Sequence, residues 1–251
     1  MSPSPEFFKR ASLSIVVPCH NEEAVLNVTA ARLVALFDHL EQEGLIQGAS
    51  VFFVDDGSTD STWALIERLA TQDARVHGIK LSRNFGQQNA ILAGLLTAPG
   101  DLLVSVDADL QDDVAAIEQM VLAHARGAEV VYGIRSSRKS DSIFKRTTAE
   151  WFYRALGSMG VELVFNHADF RLLSRRVIEV LRGYKESNLL LRGLIPQLGF
   201  TSAMVSYDRQ TRFAGATKYT LSKMISLAVN GITSFTDLPL KAITLLGFLI
   251  S

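Results

Sequence analysis

Short apolar runs, each closed by a polar cluster, alternate with amphipathic stretches through the first half of this chain, and that leaves few folds open. Residues 12–17, 51–54, 76–81, 102–106 and 129–132 read as strands, being short, apolar and rich in β-branched or aromatic side chains. Between the first two, residues 22–40 carry Leu26, Leu33, Phe37 and Leu40 on one helical face. A turn at Asp56-Gly57-Ser58 leads into a helix through Trp63, Ile66 and Leu69, and helices near 87–96 and 114–126 fill the later gaps. Strand and helix in regular alternation predict an α/β fold, a mostly parallel sheet covered by helices on both faces. In such sheets ligands collect beyond the carboxyl ends of the strands, where these polar clusters lie.

The second half lacks that rhythm. Helices are expected over 142–156, 175–181 and 187–194, a strand over 202–207, and an amphipathic helix over 218–229. That last helix suits either a membrane surface, with Leu221, Ile225 and Val229 facing inwards, or a soluble packing role. From Leu238 the chain turns apolar and ends after 14 residues, short of the ~20 needed to cross a bilayer. This stretch is either the start of a membrane helix or a C-terminal core helix. The expected division is therefore a catalytic domain over 1–215, an interface helix region over 216–237 and the start of a membrane segment over 238–251.

At 251 residues and 48% hydrophobic content the chain can bury a substantial core. Its single cysteine, Cys19, cannot form an internal disulfide, which suits a reducing compartment, and the N-terminus shows no signal peptide. The net charge of −1 conceals an asymmetry: residues 1–131 carry 8 basic and 18 acidic side chains, residues 132–251 carry 17 and 8. An acidic half suits a metal and a basic half suits phosphates or an anionic membrane, ordinary surface charge being the plain alternative.

Three clusters carry the chemistry. In Asp107-Ala-Asp109-Leu-Gln111-Asp112, two carboxylates at i and i+2 follow an apolar strand. Strand-end bending lets both face one hard cation, Mg²⁺ or Mn²⁺, with the Gln111 amide oxygen as a further ligand. A solvated turn, with Asp112 or Asp113 capping the next helix, is the plainer reading. In Asp55-Asp56-Gly57-Ser58-Thr59-Asp60, Gly57 permits a tight turn and Ser58 or Asp60 can cap a helix. The adjacent acids are left over for a base N–H or a ribose hydroxyl. In Val17-Pro18-Cys19-His20-Asn21-Glu22-Glu23, Pro18 is expected to end the strand and Asn21 to cap the helix.

The three clusters, in this order after successive strands, resemble the inverting family 2 glycosyltransferases of the glycosyltransferase A (Rossmann-like) fold. The similarity is greatest to the branch that glycosylates polyprenyl phosphates. It implies an α/β domain with C-terminal amphipathic or membrane-associated helices, and transfer of a sugar from a nucleotide diphosphate, UDP-glucose first, to a polyprenyl phosphate. It implies that Pro18, Glu22 and Asp56 line the nucleoside pocket and that Asp107, Asp109 and Gln111 hold the metal and diphosphate. Arg83 would pair with phosphate or stand on the surface before Asn84, read as a helix cap. Arg135, Lys145 and Arg171, with Arg146, would receive the lipid phosphate. Asp169 and Arg171 resemble an acceptor-side motif, Asp169 orienting the acceptor or acting as a base, with a loop-organising ion pair as the alternative. Arg212 and Lys218 would close over the diphosphate, with Gly215 as hinge. Ala149 stands where the family carries a hydroxyl, a departure on the phosphate side. A membrane partner at the cytoplasmic face, an integral anchor and a homo-oligomer are further expectations; a nucleic acid is not. No Gly-x-Gly-x-x-Gly turn follows the first strand and no Gln-x-x-Arg-Trp string occurs, which disfavours a dehydrogenase and a processive synthase. A hydroxyl acceptor and a non-catalytic nucleotide-sugar-binding module are the rival readings.

Overall fold

The computed structural model describes residues 11–109, 111–136, 167–184 and 191–208. Seven strands form one sheet: β1 (Leu13–Cys19), β2 (Ala49–Asp55), β3 (Val76–Lys80), β4 (Leu102–Ser105), β5 (Val130–Arg135), β6 (His167–Ser174) and β7 (Ser202–Tyr207). Their order is β3-β2-β1-β4-β6-β5-β7, and β6 runs antiparallel to both neighbours while the other pairings are parallel. The helices are α1 (Leu26–Gln42), α2 (Thr62–Gln72), α3 (Gln87–Thr97), α4 (Ala116–Ala125), α5 (Arg175–Arg182) and α6 (Leu191–Gln197). The chain divides into two compact units, and α6 belongs to the second with Glu186–Gly199, whereas all seven strands lie in the first.

β1 is covered on both faces, which is why it reads as an unbroken apolar run instead of an alternating one. Leu13, Ile15 and Val17 pack with Leu33, Phe37 and Leu40 of α1 and with Ile117 and Met120 of α4. On the opposite face α3 comes so close that a Cβ on Gly94 would stand 2.3 Å from Val16 Cγ1. Only a glycine lets this helix seat there.

The predicted elements are present with shifted ends, and three local expectations fail. Pro18 does not stop β1, which continues to Cys19. Val16 accepts a hydrogen bond from Val106 on the β4 side, so by alternation the N–H that Pro18 lacks would face past the last β1–β4 pair, Val16–Ser105. The β1–β4 ladder ends at the rung to which Pro18 cannot donate, while the β1–β2 pairing runs on to Cys19. Asn21 does not cap α1: the helix begins at Leu26, and Asn21 sits at φ 55° in the preceding turn. Asn84 does not cap α3, whose N-cap is Gly86. Strand β6 was not foreseen as a strand, because Asp169 and Arg171 break its apolar character. No helix among the described residues is long and apolar enough to cross a membrane. The expected segments over 142–156, 218–229 and 238–251 lie outside the described residues.

Candidate active site

The polar clusters converge at the carboxyl ends of β1, β2 and β4, joined by the amino end of the reversed β6. On the β1–β2 side the loops interlock through backbone bonds. Asn21 Oδ1 accepts from the Thr59 N–H at 2.8 Å, and the Asn21 N–H donates to Ser58 Oγ at 3.0 Å. The Glu22 N–H donates to Thr62 Oγ1 at 2.9 Å. Asp56 is buried, and its two carboxylate oxygens accept the N–H groups of Phe85 (2.7 Å) and Gly86 (2.9 Å). Asp56, expected at the nucleoside, pins the loop that enters α3. Gly57 supports the same junction: at φ 67° it lies so near that loop that a Cβ would meet Arg83 C and Asn84 N at 2.6 Å.

Asp55 Oδ2 is the buried acceptor left over, with no hydrogen-bond partner, while Asp55 Oδ1 accepts from the Ser58 N–H at 3.1 Å. His20 contacts the Asp56 carbonyl through Nδ1 at 2.9 Å and Asn84 Nδ2 through Nε2 at 3.1 Å, closing the junction from the β1 side. Arg83 is exposed, its guanidinium 4.1 Å from the centre of the Phe85 ring. Pro18 and Glu22 are half-buried at the same edge.

Beyond β4, Asp107, Asp109 and Gln111 are half-buried. The Gln111 N–H donates to Asp109 Oδ1 at 3.1 Å, which bends the chain back over the two acids. Asp107 Oδ1 accepts from Gln87 Nε2 at 2.7 Å. Among the described residues no group of three His, Cys, Asp or Glu side chains could hold a metal. Two partly exposed carboxylates nevertheless fit Mg²⁺ or Mn²⁺, since such ions are commonly held by one or two acids plus substrate phosphates and water.

Strand β6 brings Asp169 to this place. Ser105 pairs with Arg171, so Asp169 lies just past the end of β4, and Ser105 Oγ donates to its carbonyl at 2.5 Å. Its carboxylate accepts from Arg171 at 2.5 Å and from Gln88 Nε2 at 2.8 Å. Arg171 is 0% exposed and lies mid-sheet between Ser105 and Tyr132. Arg171, expected at the lipid phosphate, has a fully enclosed side chain that pairs with Asp169.

A second charged group stands at the ends of β5 and β7. Asp112 is no helix cap; it is buried, accepts from the Tyr207 hydroxyl, and lies 3.4 Å from Arg135. Burial pushes the Asp112 carboxyl above its usual value, a push that outweighs the Tyr207 hydrogen bond and the Arg135 charge. Burial and then the Asp112 charge raise the Tyr207 phenol. For Arg135, burial favours losing the charge, but Tyr207 and Asp112 together more than offset it, so its net direction is upward. Arg135 is half-buried and Arg135 Nε stands 3.4 Å from the Tyr207 oxygen. Lys145, Arg146, Arg212 and Lys218 lie outside the described residues.

The sequence reading did not single out Gln88 or Tyr207, gave Gln87 no role of its own, and offered Asp112 or Asp113 as a cap. The signal for the glutamines was their adjacency at the start of a helix that follows a strand end, where side chains point towards the site.

Residues 14–182 match the model of the family described as glycosyl transferase family 2. The uncharacterized glycosyltransferase YkoT of Bacillus subtilis (strain 168) is 52% identical over 241 residues, which span 95% of this chain and 72% of that protein. A prophage bactoprenol glucosyl transferase homolog of Escherichia coli (strain K12) is 36% identical over 240 residues, 95% of this chain and 77% of that protein. Among solved structures, a mannosyltransferase from Pyrobaculum calidifontis in complex with GDP-Man and Mn²⁺ superposes with a TM-score of 0.58 at 18% identity, covering 85% of this chain and 61% of that one. The chain belongs to glycosyltransferase family 2, and its fold is of the glycosyltransferase A type.

Proposed function

We propose that this family 2 glycosyltransferase moves glucose from a nucleotide diphosphate, UDP-glucose first, to a polyprenyl phosphate at the cytoplasmic face of a membrane, with inversion. The observation that carries the reading is the meeting of Asp107 and Asp169 across the first turn of α3, which puts a donor-side and an acceptor-side carboxylate in one site. Relatives named as bactoprenol glucosyl transferases support the acceptor and the sugar.

Mg²⁺ or Mn²⁺ held by Asp107 and Asp109, with Gln111, would offset charge on the departing diphosphate. The manganese in the Pyrobaculum calidifontis mannosyltransferase supports that choice of metal. Asp55 Oδ2, a buried acceptor in need of a donor, suits an N–H of the nucleobase at the end of β2. Pro18, Glu22 and Arg83 border that pocket, and the Asp56-pinned loop forms its wall.

The acceptor needs no strong base, because a phosphate monoester is already anionic near neutral pH. Its oxygen attacks the anomeric carbon from the face opposite the diphosphate, so alignment and charge complementarity carry the catalysis. Asp169 suits an orienting role better than a proton-accepting one, since both oxygens already accept hydrogen bonds in a buried setting. Arg135, held by Asp112 and Tyr207, presents positive charge for the incoming phosphate. Lys145 would join Arg135 on the acceptor, and Arg212 and Lys218 would close over the diphosphate.

The test is transfer from a panel of nucleotide sugars to polyprenyl phosphate with Mg²⁺ or Mn²⁺, comparing the native chain with Asp109→Asn. The native chain should glucosylate the lipid, and Asp109→Asn should lose at least a hundredfold in kcat with its fold intact. Transfer only to soluble hydroxyl acceptors, or full turnover by Asp109→Asn, sinks the proposal.

A further inference from the structure

Two neighbouring side chains in the site have no role so far beyond contact. Gln87 and Gln88 are consecutive in the first turn of α3, and each gives its amide N–H to a different carboxylate, Asp107 at 2.7 Å and Asp169 at 2.8 Å. Consecutive helical residues diverge by about 100° around the axis, so a single turn can serve two strands at once. The turn is also firmly placed. Asp56 grips the two N–H groups just before it, and Gly94 seats the helix against Val16 and Val54. Gln88 holds its amide nitrogen on Asp169 although its own Oε1 is then buried without a hydrogen-bond partner. A buried acceptor left in that state is destabilising, which is unusual for a residue that only fills space.

We infer that Gln87 and Gln88 are positioning residues that set the separation of the two carboxylates: Gln87 fixes Asp107 for the cation, and Gln88 fixes Asp169 for the acceptor. A hydrogen bond donated to a carboxylate oxygen orients the group, and at Asp169 the Gln88 bond on one oxygen and the Arg171 bond on the other together fix its plane. The inference rests on the reading of Asp107 as a cation ligand and Asp169 as an acceptor-side group, and it deepens that reading by giving each acid a separate support.

The two supports are separable by experiment on the full chain. Manganese binding in the presence of UDP, read by calorimetry without turnover, reports on Asp107. The KM for polyprenyl phosphate and kcat with UDP-glucose report on Asp169. Gln87→Leu should weaken manganese binding about tenfold to a hundredfold, as loss of a ligand's hydrogen-bonding partner does, and leave the lipid KM within about twofold. Gln88→Leu should leave manganese binding unchanged and lower kcat/KM for the lipid about tenfold or more. Gln88→Glu, nearly isosteric, places a second carboxyl against Asp169; the pair then holds a proton, and activity should rise as pH falls, a change a packing role would not produce. Equal losses on both readouts in both leucine variants, or no loss in either, overturn the inference while leaving the proposed function standing. A native chain that binds no manganese with UDP overturns the cation reading and the Gln87 assignment together.

Discussion

The two sides of the site are built by different means. On the β1–β2 side, loops are locked by side chains bonded to backbone: Asn21 with Thr59, Ser58 with Asn21, Thr62 with Glu22, and Asp56 with Phe85 and Gly86. Around β5, β6 and β7 the links are between charged side chains, Asp169 with Arg171 and Asp112 with Arg135, the latter joined by Tyr207. A backbone N–H is neutral and always present, so the first kind of link fixes the course of a loop. A buried charge pair exists only while both partners are charged and close, so the second kind fixes an electrostatic state. Under the proposed function, the nucleoside pocket wall would call for the first and the anionic acceptor for the second.

The largest effect that could break this contrast is on stability. Arg171→Leu strands a buried carboxylate and should cost about 3–5 kcal/mol in urea denaturation, whereas the double change Asp169→Leu with Arg171→Leu should cost clearly less. A single change costing under about 1 kcal/mol would show that the pair is not electrostatically committed. Next comes Gly57→Ala, which forces an alanine to φ 67° with its Cβ 2.6 Å from the Arg83–Asn84 peptide. A penalty of about 1–3 kcal/mol is expected, with faster amide hydrogen exchange confined to residues 81–86. Exchange that spreads instead to the ends of β5 and β7 would mean that the two sides are not separately held.

The smallest effects sharpen the comparison through pH. Burial holds the folded Asp112 carboxyl above the ordinary value of 3.8, so folding takes up a proton there. Its stabilising contribution is full below that ordinary value and is lost as pH rises through the raised one. Asp112→Asn should therefore flatten the fall in stability over that window, measured by thermal melts across pH. Tyr207→Phe should cost about 1 kcal/mol and move the fall to higher pH, because the Tyr207 hydroxyl favours the charged carboxylate. No comparable change is expected for substitutions at Asn21 or Ser58.

The strand ends were legible because apolar runs followed by acids leave little choice of position, and Asp107 and Asp109 were placed past the end of β4 in this way. Asn21 and Asn84 were misread for an instructive reason. Both have good capping chemistry beside a helix, but each bonds across to another loop, and local propensity cannot see that partner. Strand β6 was hidden because Asp169 and Arg171 sit two apart on one face, a pattern of solvated residues unless they neutralise each other inside a sheet. Asp112 was hidden in the same manner, its partner Tyr207 lying 95 positions away.

Periodicity and order along the chain were sufficient for the layered α/β architecture and for the acids at the strand ends, because burying apolar faces at periods of 2 and 3.6 is a local demand. They could not say which acids face a ligand and which hold the protein together. Gln87 and Gln88 reach carboxylates 20 and 81 positions away, and Asp56 grips amides 29 and 30 positions on. Such partners meet only after the chain has crossed the sheet and β6 has reversed direction between β4 and β5. Hydrogen bonds and buried charges act over a few ångströms of space, whatever the distance along the chain.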